Sequence, residues 1–375
     1  MEGGGRKVAV IREVAAWAAM VVVEGCIIGL TIMANSAMAK GISPFVFVVY
    51  VNALGSLILL PFSFQIFHKN RSEEGSAVLR WAFVERVFVL GLIGVCIAQN
   101  LAFVGLSYSS PIVACGMANQ IPAFTFILGI LLGTTRFEWS RSSSQARLIG
   151  SLVSLMGAIC ITFYKGPAVR TTHHSLSLSL SRPPLLIFSS PNQTNWVLGC
   201  TLLAASSFTL VIWNFVQVGT VKLCPQVMKI VSFYTLFGTI QSAAVGVFLE
   251  RDPTAWKLGL NFQLLVIVLT AIFSSLIRSN VQLWCSKVKG PHFVAIFKPV
   301  GIPYASTFGC LLFSDTFHYG SMLGAFICGI GYYTVLWGQI KDEETSKLGH
   351  GSKSCSSSND DLKKVPLLQE AFDQV

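Results

Sequence analysis

Apolar blocks about 20 residues long recur along the chain, and short polar stretches separate them. An α-helix needs about 20 residues to cross the hydrocarbon core of a bilayer. Because lipid offers no hydrogen bonds to the backbone, these blocks predict helices, and the alternating pattern of a membrane barrel is absent. The predicted spans are 14–33, 45–67, 87–106, 112–132, 147–164, 196–218, 228–249, 262–284, 293–313 and 322–340. The predicted fold class is an all-α integral membrane protein with ten transmembrane helices.

The second half of the chain repeats landmarks of the first. Residues that recur at an offset of 180 are Asn100 and Asn280, Pro111 and Pro291, Gly129 and Gly309, and Phe137 and Phe317. Each copy holds five predicted spans, and two copies of an odd number of spans must lie inverted in a bilayer, as in many secondary transporters. We therefore predict a first repeat at 14–164, an external Ser-rich linker at 165–195, a second repeat at 196–340 and a disordered cytoplasmic tail at 341–375.

The placement of the basic residues predicts an orientation. The sequence contains 27 Lys and Arg and a net charge of +10. With a cytoplasmic N-terminus, nineteen of these residues fall on the cytoplasmic side, six fall outside, and Arg278 and Lys298 lie within spans. Cytoplasmic loops carry the excess of Lys and Arg, so both termini are predicted to be cytoplasmic. No basic patch is interleaved with aromatic residues, which argues against a nucleic-acid partner.

Three charged residues lie within the predicted spans: Glu24, Arg278 and Lys298. A charge at the centre of a bilayer costs roughly 2.5–3.5 kcal/mol on insertion scales, so each needs a reason. Glu24 either lines an aqueous cavity and carries a coupling proton, or pairs permanently with Lys298 or Arg278. Arg278 and Lys298 could bind a substrate carboxylate. Alternatively, their side chains extend toward the membrane surface, and Arg278 and Gln282, one turn apart, then point to the cytoplasmic interface.

Uncharged polar residues cluster in corresponding spans of the two halves. They either line a cavity or form interhelical hydrogen bonds worth about 0.6 kcal/mol each. Trp213 either stacks on a substrate ring or packs against lipid. The candidate substrate-binding or ion-binding residues are Glu24, Asn35, Gln99, Asn100, Asn119, Gln120, Trp213, Asn214, Arg278, Asn280 and Lys298.

Enzyme signatures are absent from the sequence. It contains no HExxH, GxSxG, Walker or dinucleotide-binding motif, so neither catalysis nor ATP-driven pumping is predicted, and no cofactor. The ten cysteines are scattered and form no CxxC pair, so neither a metal site nor a disulfide framework is predicted.

Four stretches resemble one plant family: Gly41–Tyr50, Phe163–Pro167, Phe297–Pro299 and Gly331–Gly338. They resemble the "walls are thin"-related proteins, also called usually-multiple-acids-move-in-and-out transporters, of the EamA branch of the drug/metabolite transporter superfamily. The resemblance extends over about 14–341. It implies two inverted five-helix EamA repeats, a central cavity and alternating access. Family substrates include amino acids and, for one member at the vacuole, auxin.

The predicted function is secondary transport of amino acids or related small organic acids, auxin-like metabolites included. The expected location is the plasma membrane or the vacuolar membrane, and the expected partners are a small-molecule substrate, the lipid bilayer and protons as a candidate coupling ion. A sugar-phosphate or nucleotide-sugar exchanger is a second hypothesis, weakened because only two basic residues lie within spans. A membrane receptor or scaffold that does not transport is the third.

Overall fold

The structure is a computed structural model, and it describes most of the predicted spans. The residues described are 2–69, 81–135, 138–164, 168–169, 191–221, 227–259, 261–312 and 317–353. The fold is all-α apart from a pair of two-residue antiparallel strands, β1 (Ala168–Val169) and β2 (Phe317–His318). Most of the predicted linker 165–195 lies outside the described residues.

Fourteen α-helices lie within the described residues, seven in each half of the chain. In the first half they are α1 (Glu2–Ala39), α2 (Pro44–Lys69), α3 (Trp81–Leu90), α4 (Asn100–Ser107), α5 (Pro111–Ala118), α6 (Ile121–Leu131) and α7 (Ser142–Phe163). In the second half they are α8 (Pro191–Val221), α9 (Val227–Leu249), α10 (Phe262–Ile272), α11 (Ser279–Lys289), α12 (Pro291–Ile296), α13 (Gly301–Leu312) and α14 (Tyr319–Lys353).

Eight helical stretches of the described residues are long and apolar enough to cross a membrane. They are Arg12–Ala39, Phe83–Ser107, Pro111–Leu131, Ser142–Phe163, Asn195–Val221, Ile230–Leu249, Phe262–Ser286 and Tyr319–Thr345. The chain is therefore a multi-pass integral membrane protein. The second predicted span falls in α2, whose apolar stretch Pro44–Leu59 is shorter than these eight. The ninth predicted span falls in the interrupted segment from α12 to α13.

The helix α14 extends beyond the tenth predicted span. It continues to Lys353, into the segment where the sequence predicts a disordered tail from residue 341. The added residues include Asp342 and Glu343, which form ion pairs with neighbouring helices. Residues after Lys353 lie outside the described residues.

Four spans depart from a regular α-helix. A π-helical segment, Gly91–Gln99, joins α3 to α4, and another, Phe273–Arg278, joins α10 to α11. The fourth span breaks between α5 and α6, where Pro122 occupies the first turn of α6, and the ninth passes through a 3₁₀ turn, Lys298–Val300. Proline has no N–H to donate to the preceding turn, which explains both breaks. Three of these four spans, the fourth, the eighth and the ninth, border the cavity described below.

The helices α7 and α14 approach each other through glycines. A Cβ atom placed on Gly331 would lie 2.5 Å from the backbone nitrogen of Ser154, and one on Gly157 would lie 2.9 Å from the carbonyl oxygen of Gly324. Small residues allow such backbone contact between membrane helices, where packing rather than hydrophobicity drives association. The seam between α7 and α14 therefore has no room for a side chain at these positions.

We predict that Gly331→Val destabilises the protein. The new side chain would overlap the backbone of α7, and overpacking of this kind costs about 1–3 kcal/mol. Thermal unfolding of the purified protein in detergent measures the effect. The control is Gly29→Val, because no atom lies within 4 Å of a Cβ at Gly29. An equal melting temperature for the two variants would contradict the tight seam.

Candidate functional site

A cavity of about 580 Å³ lies among the broken helices. Its apolar lining includes Ile27, Ile28, Ile121, Leu210, Phe215, Val294 and Leu336. Its polar and charged lining includes Glu24, Asn119, Thr125, Arg147, Arg278, Gln282, His292, Lys298, Gln339, Asp342 and Glu343. Four of the candidates predicted from sequence, Glu24, Asn119, Arg278 and Lys298, thus border one space.

An ion pair between Glu24 and Lys298 lies deep in this cavity. The Lys298 Nζ atom donates to Glu24 Oε1 at 2.7 Å. Glu24 is buried within α1, and Lys298 opens the 3₁₀ turn that interrupts the ninth span before Pro299. The interruption allows the lysine to reach α1 from a helix that would otherwise continue straight. The structure thus pairs Glu24 with Lys298 rather than with Arg278.

The exposure of the two partners differs. The Glu24 side chain is 3% exposed, whereas the Lys298 side chain is 34% exposed. The carboxylate therefore depends on the lysine for its charge compensation, while the ammonium group retains access to the cavity. An anion that enters the cavity can compete with Glu24 for this ammonium group.

Arg278 is a second cation in the cavity. It ends the π-helical segment Phe273–Arg278, and its side chain is half-buried. In the part of the chain that the structure describes, the carboxylates of the cavity lining pair with other basic groups and none pairs with Arg278. Gln282, one helical turn later, borders the same cavity. The two side chains therefore face an internal space, whereas snorkelling would direct them to the interface.

Ion pairs at one end of the cavity connect α14 to two other segments. Asp342 accepts from Arg147 of α7 at 3.2 Å and from Ser143 at 3.4 Å. Glu343 lies 2.7 Å from the Nε2 atom of His292 in α12. Two adjacent carboxylates of α14 thus hold the neighbours on either side of the cavity mouth.

Sequence reasoning did not select these mouth residues. Arg147 entered only as an orientation charge, and Asp342 and Glu343 fell in the predicted tail. The one available signal was the predicted orientation, which puts Arg147, at the start of the fifth span, and Asp342, just after the tenth span, on the same cytoplasmic side.

Two carboxamides of the cavity have an amide nitrogen without a partner. Asn119 is 3% exposed and lies in the break between α5 and α6, where its Nδ2 atom is buried and makes no hydrogen bond. The Nε2 atom of Gln282 is likewise buried without a partner. Buried polar groups are rarely left unsatisfied, so such atoms call for an explanation.

Three predicted amides lie outside the cavity lining and connect helices instead. Gln99 accepts from Asn52 of α2 at 2.6 Å. Asn100 donates to Ser242 of α9 at 3.2 Å. Gln120 donates to the carbonyl oxygen of Ser154 in α7 at 2.8 Å and to the sulfur of Cys328 in α14 at 3.2 Å. These contacts match the interhelical alternative left open by the sequence, and a substrate role for the three residues stays a prediction.

The remaining candidates also lie outside the lining of this cavity: Asn35, Trp213, Asn214 and Asn280. Trp213 packs edge-on against Tyr234 at 5.6 Å between ring centroids and against Gly94, which lacks the Cβ that would collide with the indole. Asn280 is exposed and donates to the carbonyl oxygen of Leu276. Among the described residues, no three His, Cys, Asp or Glu side chains gather closely enough to hold a metal ion.

We predict that Lys298→Met lowers the free energy of unfolding by about 3 kcal/mol, because it leaves a buried carboxylate without a partner. The double variant Glu24→Gln/Lys298→Met should recover most of this loss, since neither charge remains. Thermal unfolding in detergent measures both.

The control for this cycle is Lys289→Met. Lys289 pairs with Glu13, whose side chain is 57% exposed, and exposed pairs contribute about 0–1 kcal/mol. A double variant no more stable than Lys298→Met alone would contradict the coupling of Glu24 and Lys298.

Comparisons with known proteins assign the chain to a family. The EamA-like transporter family matches residues 15–163. Two WAT1-related proteins of Arabidopsis thaliana are 46% and 44% identical to it, each over 95% of this chain and 96% of the relative. The protein WALLS ARE THIN 1 of the same plant is 30% identical over 92% of each chain. The chain therefore belongs to the WAT1-related proteins of the EamA-like transporter family, which are membrane transporters of small molecules.

Proposed function

We propose that this protein is a secondary transporter of amino acids or related small organic acids, auxin-like metabolites included, which binds its substrate in the cavity between Glu24 and Arg278 and works by alternating access. The observation that carries the proposal is the excess of positive charge in the deep part of the cavity. Lys298 and Arg278 provide two cations there, and Glu24 provides one carboxylate. Since a charge in the membrane is costly, an excess cation that faces a cavity favours an anionic ligand.

The shape and lining of the cavity support a small organic molecule. Its volume of about 580 Å³ falls within the range of roughly 300–1,000 Å³ usual for small-molecule sites. Most of the surface of the lining is apolar, although about half of the lining residues are polar or charged. A ligand with an apolar body and one charged group complements such a lining better than a sugar phosphate does.

Two contacts between glycines of α7 and α14 support two inverted repeats, 14–164 and 196–340, because the repeat offset converts one contact into the other. An offset of 174 relates Gly150 to Gly324 and Gly157 to Gly331. Gly150 contacts Gly331, and Gly157 contacts Gly324, so each contact becomes the other when the offset is applied. Reciprocal contact of this kind is what a two-fold axis between the repeats produces.

The irregular helices support the same arrangement. The offset of 180 moves the π-helical segment Gly91–Gln99 onto 271–279, and the second π-helical segment is Phe273–Arg278. The breaks of the fourth and ninth spans correspond in the same way. Discontinuous helices at equivalent positions of inverted repeats commonly form the substrate site of transporters.

The ion pairs support an orientation with both ends of the described chain on the cytoplasmic side. Glu13 of α1 pairs with Lys289 at 2.9 Å, and nearby His292 pairs with Glu343 of α14. The start of α1 and the end of α14 therefore share one end of the bundle, where the positive-inside rule puts the cytoplasm. The cavity mouth lies at that end, and Glu24 lies about 16 Å deeper along α1 at 1.5 Å per residue.

Glu24 provides a route for coupling to protons. When a substrate anion takes the ammonium group of Lys298, the carboxylate of Glu24 loses its partner in a dry environment. An unpartnered charge is costly in the membrane, and a proton is the candidate coupling ion for this step.

Uptake of labelled acids into proteoliposomes tests the proposal. The panel comprises the L-amino acids and small monocarboxylates, measured for the native protein, Glu24→Gln and Lys298→Ala under imposed pH gradients. We expect Lys298→Ala to lower uptake at least about tenfold, because a hydrogen bond to a charged group is lost, and Glu24→Gln to lose the dependence on the gradient. If neither variant differs from the native protein at any gradient, the site is wrong; if no acid is transported, the function is wrong.

Labelling of Cys115 tests the orientation. Cys115 borders the cavity and is partly exposed. We expect a membrane-impermeant sulfonatoethyl thiosulfonate to modify it from the cytoplasmic side in inside-out vesicles, because the cavity opens there and attracts anions. The matched control is Cys115→Ala, which should lose that modification. Modification only from the opposite side would contradict the orientation.

A further inference from the structure

The unpartnered polar atoms of the cavity lining share one chemical character. Among the described residues of the lining, three buried polar atoms have no hydrogen-bond partner. They are Asn119 Nδ2, Gln282 Nε2 and Arg147 Nε. All three are N–H donors. The unpartnered carboxamide oxygens, those of Asn100, Gln120 and Gln241, belong to residues outside the lining. Among the described residues, the buried polar atoms of the lining that have no partner are therefore donors rather than acceptors.

The carboxylates of the lining reinforce this asymmetry. Glu24 accepts from Lys298, Asp342 from Arg147, and Glu343 lies against His292. An ammonium group of a ligand would thus find each of these carboxylates already occupied by a basic residue. A carboxylate, which only accepts hydrogen bonds, would find donors without partners.

Two broken spans bring the donors to the cavity. Arg278 ends a π-helical segment, and Gln282 follows four residues later, so both lie on one face of the eighth span. Asn119 comes from the break between α5 and α6 and belongs to the same lining. π-Helical segments and helix breaks often occur at functional sites, where they redirect side chains that a regular helix would place elsewhere.

We propose that Asn119, Arg278 and Gln282 form the subsite that binds the carboxylate of the transported molecule, and that an amino group on that molecule is not required. The inference rests on the proposed transport function and narrows it to monocarboxylates with an apolar body. Arg278 neutralises the negative charge together with Lys298, whose ammonium group the anion takes from Glu24, and the two amides donate to the carboxylate oxygens. The apolar lining that includes Ile121 and Phe215 surrounds the rest of the molecule.

The test compares ligands that differ only in whether they carry an amino group and whether they carry a carboxylate. Two series are used: L-phenylalanine, 3-phenylpropanoate and L-phenylalaninamide; and L-alanine, propionate and L-alaninamide. Uptake, mutual competition and the shift of melting temperature are measured with the native protein. In at least one series, we expect the Michaelis or inhibition constants of the two carboxylates to agree within about threefold. We expect the amides to show no measurable binding and no competition with the carboxylates.

Variants of Gln282 test whether this residue contributes to carboxylate binding. Gln282→Leu should raise KM at least about tenfold with kcat little changed, because one hydrogen bond to a charged group is lost on binding. The nearly isosteric Gln282→Glu should abolish uptake of the carboxylates, because it sets a negative charge against them. The matched control is Gln263→Leu, an amide of the same span that contacts the carbonyl oxygen of Lys40 outside the cavity.

The outcomes separate this inference from the proposed function. Competition by an amide as strong as that of its carboxylate would overturn the subsite, and so would an unchanged KM in Gln282→Leu. A native protein that transports other acids of the panel but binds no carboxylate of either series would also overturn it. Absence of transport for every acid contradicts the proposed function, and the subsite with it.

Discussion

In the hydrocarbon core of a membrane there is no water to satisfy a charge or a backbone amide, and this constraint shapes the whole protein. It makes the apolar blocks helical, since a helix satisfies its own backbone. It also means that a carboxylate such as Glu24 must have a partner within reach. Lys298 becomes that partner only because the ninth span is interrupted at the 3₁₀ turn Lys298–Val300. One ion pair thus depends on one helix break, and both border the cavity.

The same constraint limits where the irregular segments can lie. Non-helical backbone at membrane depth is tolerated where protein covers it or where it borders a water-filled space. The breaks of the fourth and ninth spans and the π-helical segment of the eighth span border the cavity, whereas the π-helical segment of the third span is covered by α8 and α9. The regular helices α7 and α14, in contrast, meet in a seam of glycines without such irregularity. A rigid seam beside two pairs of interrupted helices is a suitable construction for alternating access.

The charges of the cavity divide into two groups with different tasks. At the mouth, Arg147 and His292 are each held by a carboxylate of α14 and connect helices. Deeper, Lys298 is paired but partly exposed, and Arg278 faces the cavity without a carboxylate among the described residues. The two deep cations have no basic counterpart in the first half, where Ala98 and Ala118 occupy the equivalent positions. If the proposed repeats form the scaffold, these two cations make the site asymmetric, which suits the proposed recognition of a single anionic group.

The sequence by itself determined the class of this protein. The length of its apolar blocks, its family-like stretches and the three intramembrane charges could be read directly, because each depends on local composition and on the cost of polarity in lipid. The partner of Glu24 could be narrowed to two residues, but the choice of Lys298 depends on a helix break whose direction no local pattern specifies. The same holds for the amides: Asn119 and Gln120 are neighbours in sequence, yet one faces the cavity and the other connects α7 and α14. Gln282, Asp342 and Glu343 gained their place beside the cavity only from the packing of helices distant in sequence, since which side of a helix meets a cavity is decided by its neighbours.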